Sequence, residues 1–186
     1  MELLAQLRKE TQAEHGLIEG TYPFNRLLLP SLEVQEYQQT LALLFRWHQQ
    51  LESNVLQMMP AQLLEALEWN ESTKSLRQDL DEGKTQLPQI RKEFQLGSRD
   101  EAIGALYVIL GAAMGARVIL EHLNKHPVLQ HKPHLYYTEM TSRLRKWGVF
   151  THYLRSHCSQ IDHQSAVKGA KSAFKLLQQI TLVNVS

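Results

Sequence analysis

The stretch 98-SRDEAIGALYVILGAAMGARVILEHLNKH-126 decides how the rest of the chain is read. It opens on Ser98 with Glu101 three residues on, a capping-box signal ahead of an apolar run. No residue from Ala102 to Ala116 is charged, so the spacing predicts a helix that is apolar almost all round and runs through the middle of a domain. Arg117 interrupts the run too early for it to cross a bilayer. Inside the helix lie Gly104, Gly111 and Gly115, each about 1 kcal/mol worse there than alanine. At helical spacing they share one face, with Val108 between the first two and Ala112 beside the last two. A face without side chains serves either tight helix–helix packing or a flat ligand lying against the backbone.

Around this helix the chain reads as helical throughout. Glu2 to Glu19 carries Leu4, Leu7, Thr11, His15 and Ile18 on one face, so a histidine points inward, and Gly20 ends the segment. A loop with Pro23 and Pro30 follows; Ser31 is the expected cap of a long helix to about Met59. Its stripe is Val34, Tyr37, Leu41, Leu44, His48, Leu51, Val55 and Met58, and His48 reads as structural. Pro60 begins a short helix, Ser72 and Gly83 bracket another, and the linker to Gly97 leads into the glycine helix. After the proline-broken HPVLQHKPH, helices are expected over about 135–157 and 162–183. The last buries Ala166, Ala170, Ala173, Leu177 and Ile180, with Phe174 beside them. No segment alternates with period two long enough to be a strand. The expectation is an all-α, single-domain bundle of about seven or eight helices spanning residues 1–186.

Composition narrows the function. The 186 residues are 43% hydrophobic and 21% charged, as in a soluble globular domain, and a net charge of +1 argues against a nucleic-acid partner. The single Cys158 excludes an internal disulfide, and the N-terminus turns amphipathic at once, so we expect a cytoplasmic protein without a membrane partner. His122 and His126 stand four apart but lack the glutamate of a metalloprotease motif. Cys158 beside His157 says little about a catalytic pair. The inward faces are almost free of glutamate, against a carboxylate-bridged di-iron centre. What remains is one inward histidine near the N-terminus and a side-chain-free helix face. An axial imidazole on one side and open room on the other is what a haem needs.

At these residues the chain resembles the biliverdin-producing haem oxygenases, particularly the bacterial ones associated with phytochromes. LRKETQAEHGLIE is similar to the family's proximal helix and implies that His15 binds the haem iron. GALYVILGAAMGARVI resembles the distal helix and places its glycines on Gly111 and Gly115. SLRQDL, LRKWGVFTHYL and AVKGAKSAFKLL fall where related segments occur, so the likeness covers almost the whole chain. It departs where the bacterial motif has Glu-Gly-Ser-Thr: here stand Leu110, Gly111, Ala112 and Ala113, and the second terminal glycine is Ala116. The family's propionate-binding cations fall on Arg8 and, on the late helix, on Lys146 or more weakly Arg143, with Arg155 also available; Gln12 is neutral. The resemblance implies a haem oxygenase that uses haem as cofactor and substrate, binds O2 against Gly111, Ala112 and Gly115, and releases biliverdin, CO and iron. Electrons would come from an external reductase or ferredoxin, since the chain has no flavin or nicotinamide motif. With the distal polarity missing, slow turnover is expected. Two alternatives stand beside it: a non-degrading haem or tetrapyrrole carrier or sensor on the same fold, and a helical protein in which His15 is merely core.

Overall fold

The computed structural model describes residues 2–80, 85–90 and 93–184. Among them the regular structure is helical, in nine α-helices: α1 (Leu3–Glu10), α2 (Gln12–Gly20), α3 (Val34–Met58), α4 (Ala61–Ala66), α5 (Ser72–Asp79), α6 (Arg99–Leu123), α7 (Leu135–Ser142), α8 (Leu144–Ser156) and α9 (His163–Asn184). The expected all-α class holds, and the helix number exceeds the expected seven or eight because two expected helices each divide. The first divides at Thr11, whose hydroxyl donates to the Leu7 carbonyl at 2.8 Å, a side-chain bond that bends helices. The other divides at Arg143, just after Thr141 and Ser142 return their hydroxyls to the carbonyls of Tyr137 and Glu139.

Two caps differ from expectation. Helix α3 begins behind Glu33, not Ser31, because Glu33 and Glu36 form a reciprocal capping box, and Glu36 accepts from the Glu33 amide at 2.9 Å. Ser31 instead receives the Arg26 guanidinium. Ser72 opens α5 by bonding the Glu52 carboxylate through both its amide and its hydroxyl. The expected terminator Gly83 lies outside the described residues. At α6 the expected cap is present: the Ser98 hydroxyl accepts from the Glu101 amide at 3.2 Å.

The core has two parts. The inner half of α6, with α1, α3, α4, α8 and α9, encloses Leu7, Leu51, Ile103, Leu106, Ile109 and Phe150. The outer half of α6, with α3, α5 and α7, encloses Tyr37, Leu41, Ala113, Ala116 and Met140. Helix α9 is the mount on which α1, α2, α3 and α6 all pack. It crosses α6 where Gly104 meets Ala166 and Ala170, and where Gly169 meets the Glu101 backbone. A Cβ on Gly104 would lie 1.8 Å from the Ala166 carbonyl oxygen, so only glycine allows this crossing. The Trp47 indole N–H donates to the Ala173 carbonyl at 2.8 Å and ties α3 to the same helix. By length and composition α6 passes for a membrane span, yet half of its apolar window is buried in the fold, as in a core helix.

Candidate functional site

The buried line of the N-terminal segment runs from Leu7 to Thr11 and then emerges at His15. Leu7 and Thr11 are sealed in the core, whereas the His15 side chain is 60% exposed and α2 has no buried residue. The expectation that His15 points inward is therefore corrected: α1 lies in the core, but past the break at Thr11 the same face reaches the surface. The imidazole stands edge-on against Phe174 of α9, centroids 5.9 Å apart. Its Nδ1 faces the Glu19 carboxylate at 3.5 Å, one turn on. A carboxylate at Nδ1 favours the tautomer with the proton there, which leaves the Nε2 lone pair free to bind a metal. Glu19 was visible in the sequence as the residue four after His15, a spacing that puts both on one helix face.

The glycine face of α6 divides in the same way. Gly104 is consumed by the α9 crossing. At Gly115 an added Cβ would meet nothing within 4 Å, and at Gly111 only the Trp147 ring edge, at 3.8 Å. Nothing in the protein's own packing requires glycine at either position. Next to them on α6 the exposed apolar side chains are Met114, 50% exposed, and Val118, 55% exposed. Trp147 of α8 stands beside this surface, its ring 5.7 Å from Tyr107 and 6.1 Å from Phe150. Ala112 is exposed too, whereas Leu110, Ala113 and Ala116 are buried, so of the four departures in the distal motif only residue 112 reaches the surface.

Helices α2 and α6 are fastened at two places. Helix α2 and the inner half of α6 both pack on α9, and at the far end the His122 imidazole lies 3.3 Å from the Leu29 carbonyl in the loop that follows α2. An imidazole with a free nitrogen and a helix face without side chains are the features that suit a flat, apolar macrocycle with an axial ligand position. The donor set, one histidine with a second-sphere carboxylate, fits a haem iron.

The basic residues separate. Arg8 is exposed on α1, on the same helical side as His15. Lys146 donates its ammonium to the Glu68 carbonyl, and burial together with the neighbouring Arg143 charge lowers its pKa. Arg143 is buried, with its guanidinium over the Trp69 ring at 5.5 Å and bonded to Glu139 and to the Asn70 carbonyl. Both late-helix cations thus have acceptors within the protein. Arg155 is exposed and pairs with Glu2 at 3.3 Å.

His48 has a structural place. It is buried, with Nδ1 on Glu52 and Nε2 on the Tyr136 hydroxyl, both at 2.9 Å. Burial alone would raise the Glu52 carboxyl, but His48, Ser72 and Arg143 outweigh it and hold it below the ordinary range.

A family model described as heme oxygenase matches residues 1–182. No curated protein and no solved structure matches the chain.

Proposed function

We propose, for a chain that belongs to the haem oxygenase family, that it opens haem oxidatively to biliverdin with release of CO and iron. The observation that carries this reading is that among the described residues no contact requires glycine at 111 or 115, where an added Cβ would meet at most the Trp147 ring edge at 3.8 Å, while Gly104 on the same helix has to be glycine. Glycine costs about 1 kcal/mol at each helical position, and a ligand that must lie against the backbone offsets that cost. Haem, when bound, is the substrate, and its iron supplies the activation of dioxygen.

The protein's own groups bind and orient. His15 offers Nε2 to the iron while Glu19 holds the proton on Nδ1. Phe174 fixes the plane of the imidazole from α9. The Gly111–Gly115 backbone sets how near the macrocycle lies to α6, and Met114 and Val118 beside it on the same helix give it an apolar surround that excludes water. Arg8 is the cation suited to a propionate; Lys146 and Arg143 are held by protein acceptors. Electrons come from a separate reductase or ferredoxin. We further assign the protein to the cytoplasmic, bacterial, phytochrome-associated branch that the motifs resemble.

One observation favours a second reading, a non-degrading haem or tetrapyrrole binder. From Gly111 to Val118 the exposed side chains are Ala112, Met114, Arg117 and Val118, with no hydroxyl or carboxylate to hold distal water. A single-turnover experiment decides. Purified protein is loaded with haem and reduced by ascorbate or a ferredoxin–reductase pair under air. Loss of the Soret band with appearance of biliverdin and CO supports the oxygenase. A persistent Soret band without green product supports the binder, and no Soret change on mixing with haem refutes both.

A further inference from the structure

The chain's one thiol belongs to a constellation that plays no part in the reading above. Cys158 opens a short 3-10 turn between α8 and α9, and its Sγ lies 3.4 Å from Nε2 of His163, the first residue of α9. The other ring nitrogen, Nδ1, lies 3.2 Å from the Gln6 side-chain oxygen on α1. His157, the histidine next to Cys158 in sequence, is turned away: it stacks on Tyr153 at 4.2 Å and bonds the Tyr153 carbonyl.

We infer that Cys158 is a reactive thiol that forms mixed disulfides with low-molecular-weight disulfides, with His163 as its base and Gln6 as the residue that orients the base. The Gln6 carbonyl accepts only from Nδ1–H, so the neutral ring presents the Nε2 lone pair to the sulfur. Nucleophile, base and orienting group within reach of one another are the arrangement that activates a thiol. The nearby charges are engaged elsewhere. Asp162 caps α9 through the Ser165 amide, Asp100 accepts from the Asp162 amide, and Arg99 holds Asp100 and the Gln160 carbonyl. The imidazole is thus the proton acceptor at the sulfur. Cys158 is half-buried, so small disulfides reach it where a protein disulfide does not.

In the step, the thiol proton passes to His163 Nε2 and the sulfur's electron pair forms a bond to one sulfur of the disulfide. The disulfide's own S–S bond breaks, and the departing thiolate takes the proton from the imidazolium. Cys158 is oxidised, one half of the reagent is reduced to a thiol, and no other reactant is needed.

The test uses the full chain with two probes, 5,5′-dithiobis(2-nitrobenzoate) read by released colour and glutathione disulfide read by intact mass. A free thiol is only a few per cent thiolate at pH 7, and a base held at the sulfur that takes the proton during attack gains about fivefold in rate. The folded protein should react about fivefold faster at pH 7 than the same protein in urea. His163→Gln should remove that advantage, and Gln6→Leu should remove part of it. Because the comparison of folded with urea-unfolded native sequence needs no variant, a misfolded His163→Gln leaves the result readable. A folded thiol that reacts no faster than the unfolded one, or a folded His163→Gln with the native rate, overturns the inference.

Discussion

Gly104 and Gly115 lie on one face of one helix, and replacing each by alanine should move stability in opposite directions. Alanine gains about 1 kcal/mol over glycine in a helix interior, and at Gly115 nothing lies within 4 Å to oppose it. For a domain of this size each kcal/mol moves Tm by about 2–4 °C, so Gly115→Ala should raise the Tm of the haem-free protein by roughly that much. At Gly104 the same methyl would sit 1.8 Å from the Ala166 oxygen and 2.7 Å from the Ala170 nitrogen, both backbone atoms in a rigid helix. Relief requires α6 and α9 to part by roughly 1.5 Å along their crossing, which forfeits much of the dispersion energy of that contact. Overpacking of this kind costs about 1–3 kcal/mol or more, and a 1.8 Å approach to backbone puts Gly104→Ala at the upper end, so net of the propensity gain it should lower Tm by about 4–8 °C. Urea denaturation of both variants without haem, followed by haem titration, is the assay. Gly115→Ala should be the more stable protein and the weaker haem binder, and Gly115→Leu should lose haem or oxygen binding altogether. A Gly115→Ala that destabilises the haem-free protein by 1 kcal/mol or more would mean that its glycine serves packing, and the ligand reading of α6 would fall.

Three further perturbations probe the site and its support. His15→Ala should change haem-free stability by less than about 0.5 kcal/mol because the side chain is exposed, yet lose the imidazole-ligated spectrum and regain it with free imidazole; an unaltered spectrum would place the ligand elsewhere. Ala112→Ser puts a hydroxyl on the exposed side of α6, and should speed single-turnover biliverdin formation at unchanged haem affinity; equal rates would mean that distal water is held by other groups. Glu52 has its carboxyl held low in the fold, so its contribution is complete above the ordinary glutamate value of 4.5 and fades as pH falls below it through the lowered value. Glu52→Gln should cost about 2–4 kcal/mol near pH 7, since it leaves Arg143 and His48 without their buried counter-charge, and should flatten the loss of stability between about pH 5 and 3 in urea titrations.

Much of the fold was legible because helix signals are local. The Ser98 cap, the end of α3 near Met58 and the buried alanine face of α9 follow from spacing and capping chemistry alone. The misplaced features depend on partners far along the chain. Ser31 is a good cap by type, but Glu33 and Glu36 cap each other and Arg26 claims the serine. The break at Arg143 goes with a burial that residue type argues against, secured by Glu52, Glu139 and the Trp69 ring from three other segments. The protein acceptors of Lys146 and Arg143, the Glu68 and Asn70 carbonyls, were not legible from a basic late helix either. Cys158 finds its imidazole five residues on and across a turn, which adjacency to His157 could not indicate.

The candidate site turns on a limit of helical periodicity. A spacing of three and four says which residues share a face, but a face is uniform only if the neighbour opposite it runs the whole length of the helix. Helix α9 covers α6 at Gly104 and does not accompany it to Gly115; the core likewise covers α1 at Leu7 and releases α2 at His15. In both helices the sequence pattern continues while the protein partner stops. The residues beyond those points keep the pattern of a buried face, a glycine pair with Met114 and Val118 on α6 and, on α2, the imidazole that continues the line of Leu7 and Thr11. Exposing such surface to water is unfavourable by about 25 cal/mol per Å², so a binding partner that covers both at once gains from each. That partner has to be thin enough to meet a backbone, apolar over its faces and able to accept an imidazole nitrogen, which is the description of haem.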